Sequence, residues 1–237
     1  MRGCLFTLLL GAVVVALVVV VGLPAVFAGV LTGAVTAAGL QADDTTVSVS
    51  SDPPTDLVGL RADRVRLTAT DATFRGLRIG ELDLVLRDVA VLDRTAERVD
   101  GTLSGVRVEV AGRPLALDEI AISGGGESLE AATTIDGADA EALIAEAVEQ
   151  RLGRAPDAVD LREPDRLVVD VGVEVQGSLD VTPDGDLVVR VDENPAGIEE
   201  LVLLRNGEDL PIRLTDVLVD SNGDLRLYGD LAIGIFG

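Results

Sequence analysis

The sequence predicts an α+β protein that is mainly β and follows an N-terminal transmembrane or signal helix. Three observations lead to this fold class. Residues 5–40 carry no charge, which is typical of a membrane or signal segment. Residues 41–237 consist largely of short runs in which apolar and polar residues alternate, the period of a half-buried strand. One helical pattern, at 136–153, divides those runs into two halves.

The first forty residues are predicted to form a membrane anchor or signal segment with a further apolar helix. Residues 5–23 alone approach the ~20 apolar residues that cross a bilayer. Arg2 is the nearby cation, so the positive-inside rule places residues 41–237 outside the cytoplasm. Pro24 predicts a break, after which residues 25–40 form a second helix that is small and apolar on all sides.

The N-terminal segment leaves its processing open. A single uncleaved span at the cell membrane is one interpretation, and export after signal cleavage near Ala28 is the alternative, since small residues precede that position. Cys4 does not indicate a lipoprotein, because a lipidated cysteine follows its apolar region and this one precedes it.

Strands dominate the first half of the exported region. Val47–Ser51 is a short candidate. Val65 and Leu67 then alternate with polar residues, and Leu82, Leu84 and Leu86 continue on the opposite parity. The change of parity predicts a turn or bulge near Gly80-Glu81. Residues 106–110, 115–117 and 120–122 are further strands.

The segment "DGADAEALIAEAVEQRLG" (136–153) predicts the helix. Asp139 is the expected N-cap and Gly153 the expected stop. The apolar stripe is Leu143, Ile144, Val148 and Leu152.

Alternation is clearest in "RLVVDVGVEVQGSLDVTPDGDLVVRV" (166–191). Leu167, Val169, Val171, Val173 and Val175 are predicted to share one strand face. Pro183-Asp184-Gly185 predicts a turn, after which Leu187, Val189 and Val191 resume the pattern. Further strands are predicted at 198–204, 210–220 and 224–236, with a hairpin at Asn222-Gly223.

Composition excludes most catalytic and nucleic-acid functions. The chain has no His, no Lys and one Cys, and its net charge is −22. These absences remove Ser-His-Asp and Cys-His arrangements and most zinc sites, and the acidity argues against a phosphate-backbone binder. Asp220 to Asp224 resembles the start of a calcium loop, but Leu231 stands where a bidentate Glu is required. We expect no catalytic residue, no metal and no cofactor.

The aliphatic strand faces have two interpretations. They close on each other as the core of a β-sandwich, or they line a groove for acyl chains. With aromatic residues at 2%, the walls in either case are Val, Leu, Ile and Ala. The side chains predicted to line a groove are Val65, Leu67, Leu82, Leu84, Leu86, Leu143, Val148, Val169, Val171, Val173, Val175 and Val189.

Three segments carry a resemblance to a known family. They are "GLRIGELDLVLRDV" (76–89), "VDGTLSGVRVEV" (99–110) and "LPIRLTDVLVDSNGDLRLYGD" (210–230). Together with the export segment, they resemble the LmeA-like phospholipid-binding family of actinobacterial cell-envelope proteins. The resemblance implies a strongly curved antiparallel sheet wrapping one or two helices, similar to tubular lipid-binding domains, and phospholipid binding without turnover.

The sequence therefore predicts an anchored extracytoplasmic protein that holds phospholipid acyl chains in an aliphatic groove and supports assembly of envelope lipids or lipoglycans. Its expected partners are membrane phospholipid and, through the N-terminal helix, the membrane, with no nucleic acid. The alternative is a non-catalytic structural or interaction β-sandwich domain tethered to the cell membrane.

Overall fold

The structure is a computed structural model that describes residues 28–29, 32–33, 36, 40–74, 77–90, 93, 95–110, 113–125, 128–192, 200–207 and 212–231. Most of the predicted membrane segment, 1–40, lies outside these residues. Ala28, Gly29, Thr32, Gly33 and Thr36 are helical, and the Thr32 and Thr36 hydroxyls each donate to the carbonyl four residues earlier. No helix within the described ranges combines the length and the hydropathy that crossing a bilayer requires.

The fold class is confirmed at the level of an α+β protein that is mainly β, with antiparallel sheets. A 3-10 helix spans Pro54–Gly59, and an α-helix, α1, spans Gly137–Leu152. The strands are β1 (Leu40–Gln41), β2 (Asp44–Ser50), β3 (Arg61–Phe74), β4 (Leu77–Ala90), β5 (Thr95–Val110), β6 (Arg113–Gly125), β7 (Ser128–Ile135), β8 (Ala158–Arg162), β9 (Arg166–Asp170), β10 (Glu174–Val181), β11 (Leu187–Val191), β12 (Glu200–Leu204), β13 (Ile212–Val219) and β14 (Leu225–Leu231).

The chain divides into two compact units. The first comprises 1–101, 124–127 and 235–237, and the second comprises 102–123 and 128–234. In the first unit the strand order is β1–β3–β4–β5, with β2 also paired to β3. A buried cluster of Leu57, Ala62, Val65 and Val89 forms a core there.

In β3 and β4 the buried positions switch between odd-numbered and even-numbered residues, although each strand is continuous. The predicted turn or bulge near Gly80-Glu81 is replaced by one continuous strand, whose register runs from Thr70 opposite Glu81 to Ala72 opposite Ile79. Asp71, in the left-handed region at φ 47°, lies between those pairs. At this point the buried positions change parity on both strands, from Ala69 to Ala72 and from Ile79 to Leu82, while the ladder continues.

The second unit contains two sheets and α1. One sheet has the order β5–β6–β7–β14–β13, and the other is five-stranded with the order β12–β11–β10–β9–β8. The predicted hairpin at Asn222-Gly223 joins β13 to β14, where Gly223 has φ 85° and donates its N–H to the Asp220 carbonyl at 3.0 Å. The turn at Pro183-Asp184-Gly185 joins β10 to β11 as predicted.

The run from Leu167 to Val175 is a hairpin instead of the single strand that the alternation predicts. The strand β9 ends at Asp170, and residues 171–173 reverse the chain into β10, with Gly172 at φ 83°. Val169 then lies opposite Val175, and Leu167 lies opposite Gly177. Because directly opposed residues share a face, the apolar row continues across the reversal.

The N-cap of α1 lies three residues before the predicted one. The N-cap is Asp136, whose Oδ1 accepts the Ala138 N–H at 2.9 Å, so the expectation of Asp139 is wrong. Gly153 ends the helix as predicted, in the left-handed conformation at φ 73°. The buried stripe is Ala140, Ile144 and Val148, while Leu143 is half-buried and Leu152 is exposed.

Candidate functional site

An apolar groove of about 80 Å³ lies in the second unit, where α1 packs on the five-stranded sheet. Both sides are built of branched aliphatic side chains, with one arginine and one glutamine among them. Its lining residues are Ile144, Val148, Arg151, Leu152, Leu167, Val169, Val171, Val175, Gln176, Gly177, Val189, Val191 and Leu201.

The sheet side of the groove follows directly from strand pairing. Val175 lies opposite Val169 on β9, while Gly177 lies opposite Leu167 on β9 and Val191 on β11. Gly177 places no side chain between those two neighbours, and a Cβ there would lie 2.6 Å from the Arg190 carbonyl oxygen. The row thus has a gap at its centre, which leaves space beneath the helix.

The helix side of the groove follows from helical spacing. Ile144, Val148 and Leu152 recur every four residues, so they lie on one face of α1. Ile144 is 1% exposed, whereas Leu152 is 37% exposed. The groove is therefore closed near the middle of α1 and reaches solvent near its C-terminal end.

The structure brings together five of the predicted groove residues: Val148, Val169, Val171, Val175 and Val189. Val173 stands in the β9–β10 connection, 60% exposed and outside the lining. Leu143 is half-buried beside the stripe. The remaining five belong to the first unit and do not line this groove: Val65, Leu67 and Leu82 are buried, and Leu84 and Leu86 are half-buried.

Eight lining residues are not among those that the sequence predicts for the groove. Leu167, Val191, Ile144 and Leu152 carried a usable signal, since each belongs to an apolar row or stripe that the pattern defines. Gly177, Leu201, Gln176 and Arg151 carried none. Their position depends on strand order and on which end of α1 meets the sheet, and neither is encoded in local periodicity.

The lining contains no carboxylate, thiol or hydroxyl side chain. Within the described ranges, no group of three His, Cys, Asp or Glu side chains is arranged to hold a metal ion. The groove therefore offers apolar contact and one guanidinium, and no side chain in it can serve as an acid, base or nucleophile near neutral pH.

The perturbed carboxylates lie away from the groove. A hydrogen bond from Arg66 lowers the pKa of Asp83, with Arg66 Nε and Asp83 Oδ1 2.9 Å apart. The backbone N–H of Asn222 is the main cause that lowers the pKa of Asp220. The segment resembling a calcium loop is thus a hairpin turn, in which Asp220 accepts backbone hydrogen bonds.

Comparison of this chain with family models, with curated proteins and with solved structures finds no match. The groove is the feature of the described residues from which a function can be argued.

Proposed function

We propose that this protein binds phospholipid without turnover by holding an acyl chain in the groove between α1 and the strands β9–β11. The observation that carries the proposal is the lining itself, which is aliphatic on both the helix side and the sheet side. The resemblance of 76–89, 99–110 and 210–230 to the LmeA-like family supports the same function.

The energetics favour an acyl chain as the occupant. Removing methylene groups from water yields about 0.8 kcal/mol for each, and apart from Arg151 and Gln176 the lining consists of Val, Leu, Ile and Gly. The groove, at about 80 Å³, is small beside the ~300–1,000 Å³ typical of ligand sites. The proposal therefore includes displacement of α1 from the sheet as the chain enters.

The setting of the protein is part of the proposal. Residues 1–40 would anchor the chain, or direct its export with cleavage near Ala28, and residues 41–237 would work outside the cytoplasm, with the sheet strongly curved around helices. The net charge of −22 disfavours close approach to anionic lipid surfaces. A tether would keep the domain near membrane lipid, in support of envelope lipid or lipoglycan assembly.

Photo-crosslinking tests this function in the full chain. The protein is placed in vesicles containing a phospholipid with a diazirine on one acyl chain, and crosslinked peptides are identified by mass spectrometry. We expect adducts on α1 and on β9–β11. Adducts confined to residues 1–40, or none at all, would contradict acyl-chain binding by the groove.

A matched pair of valines sharpens the test. Val175→Phe enlarges a half-buried lining residue and should lower groove labelling about tenfold, as the ~1.4 kcal/mol of added crowding implies. Val173→Phe makes the same change two residues away, at a side chain that is exposed, and should leave labelling unchanged. Circular-dichroism melts verify that both variants fold.

A second candidate function is a tethered structural or interaction domain with a closed core. The small volume of the groove is the observation that favours it. In that case the protein should melt cooperatively, crosslink no lipid in α1 or β9–β11, and lose stability in Val175→Phe without any change in lipid labelling.

A further inference from the structure

We infer that the groove takes a glycerophospholipid in one orientation, with its phosphate at Arg151 and Arg154 and its acyl chain running beneath α1. This inference rests on the proposed function and adds to it the chemical group recognised and the end of the groove where it binds.

Arg151 is the cation of the groove lining. It lies in the last turn of α1, is exposed, and forms no ion pair among the described residues. The neighbouring sheet differs in this respect. Arg166 binds Asp192 at 2.6 Å and Arg190 binds Asp180 at 3.0 Å, so those guanidinium groups are already neutralised.

Arg154 reaches the same end of the groove. Its two terminal guanidinium nitrogens lie 3.6 and 3.7 Å from the point that a Cβ on Gly172 would occupy. Gly172 is flanked by Val171, which lines the groove, and by the exposed Val173. Arg154 also forms no ion pair among the described residues.

Asp170, which precedes the turn at Gly172, already accepts a hydrogen bond within that turn. Asp170 Oδ1 accepts the Gly172 N–H at 2.8 Å, which uses one of its oxygens within the turn. Two exposed guanidinium groups thus stand beside the open end of an apolar groove, near Leu152 and Val171, in a chain whose net charge is −22.

A phosphodiester fits this arrangement. Guanidinium groups bind phosphate oxygens through paired hydrogen bonds. The glycerol that carries the phosphate would then direct its acyl chain into the apolar lining. Charge complementarity selects the occupant, since neutral diacylglycerol offers these arginines hydroxyl and ester oxygens but no anion. Arg151 also complements the helix C-terminus, so the test must separate ligand recognition from helix stability.

The experiment uses the full chain and two crosslinkers with identical diazirine-labelled acyl chains, phosphatidylglycerol and diacylglycerol. We expect the wild-type groove to be labelled about tenfold more by phosphatidylglycerol. The double variant Arg151→Gln, Arg154→Gln should lower phosphatidylglycerol labelling to the diacylglycerol level and leave diacylglycerol labelling unchanged, a selectivity that a merely structural role would not produce.

Two control variants accompany it. Arg107→Gln makes the same change of charge at an exposed residue of β5 outside the groove and should leave the preference intact. Arg151→Lys with Arg154→Lys keeps the charge at the helix end but removes paired hydrogen bonding, and should retain part of the preference. This second pair keeps the test decisive if the glutamine variant fails to fold.

Three outcomes would overturn the inference. These outcomes are equal labelling of the wild type by both lipids, full preference in the double variant, and displacement of the probe by unlabelled fatty acid but not by phosphatidylglycerol. The last of these would assign the arginines to a carboxylate. In each case, diacylglycerol labelling of α1 and β9–β11 leaves acyl-chain binding standing. Absence of groove labelling by every probe rejects the proposed function as well.

Discussion

Asp220 shows how a single carboxylate organises a turn in this protein. Its Oδ1 accepts the backbone N–H groups of Asn222 and Asp224 at 2.8 and 3.2 Å, and its Oδ2 lies 3.1 Å from Arg226. The Asn222 N–H is the main cause of its lowered pKa, with smaller contributions from Asp224 and Arg226. A carboxylate whose folded pKa lies below its unfolded value stabilises the fold at neutral pH and loses that contribution as acid protonates it.

Asp220→Asn should therefore lower the melting temperature at pH 7. The difference from wild type should shrink as the pH falls from about 4, the ordinary Asp pKa, through the lower folded pKa, because first the unfolded chain and then the folded protein takes up the proton. Thermal melts by circular dichroism from neutral to acid pH measure it. Asp118→Asn, at an exposed carboxylate of β6, is the control. A pH-independent difference in Asp220→Asn would show that the ionised form is not what stabilises the turn.

At the scale of elements, the start of α1 is fixed by two carboxylates that are far apart in sequence. Asp136 Oδ1 accepts the Ala138 N–H, and Asp224 Oδ1 accepts the Gly137 N–H, both at 2.9 Å. Both N–H groups belong to the first turn of α1, where no carbonyl of the helix can accept them. The hairpin of β13 and β14 therefore holds the helix that covers the groove.

Asp136→Ala should cost about 0.5–2 kcal/mol of unfolding free energy, the usual effect of losing an N-cap. Asp139→Ala retains the cap and loses only the attraction of a first-turn carboxylate to the helix dipole, which about 0.5 M salt screens. Chemical denaturation in that salt should thus separate the two variants. Equal losses would return the role of N-cap to Asp139.

Turn chemistry made several elements predictable from sequence. Pro183-Asp184-Gly185, Asn222-Gly223 and Gly153 each demand a particular backbone conformation, and the chain reverses or ends a helix at each. The N-cap was harder, because Asp136 and Asp139 are the same residue type and either could supply the oxygen. The alternation of apolar and polar residues could not reveal the reversal at Gly172, because the same alternation continues from β9 through the corner into β10.

The groove was predictable only in part. Alternation identifies Val169 and Val175 as neighbours on an apolar face, but it does not say which helix or sheet covers that face. Val65 and Leu67 show the same alternation and lie in the core of the first unit. Lining residues such as Gly177 and Arg151 follow from strand order and helix placement, which are long-range properties.

At the scale of the whole molecule, charge is the dominant feature. The chain carries 41 carboxylate residues against 19 arginines, and in the ion pairs among the described residues the arginine side chain is more than half exposed. Exposed pairs contribute little each, whereas a large net charge destabilises the compact state through repulsion. Screening the net charge should therefore outweigh weakening the pairs.

Raising NaCl from about 0.01 to 0.1 M shortens the Debye length from roughly 30 to 10 Å and should raise the melting temperature by about 2–4 °C, equivalent to roughly 1 kcal/mol. Tetramethylammonium chloride at matched ionic strength should act alike if screening is the cause. A melting temperature that falls with salt would show that the ion pairs matter more than the net repulsion.

The register of β10, and with it the groove, depends on the number of residues in the corner around Gly172. An odd number of residues between Asp170 and Glu174 returns even-numbered positions to face even-numbered ones. Deleting one residue of that corner would rotate the returning strand by half a turn, so that Glu174 and Gln176 would face α1 and the valine would face water. Gly172 must also be kept, because a side chain at its φ of 83° would be strained, so the register of β10 depends on both the residue count and the glycine of this corner.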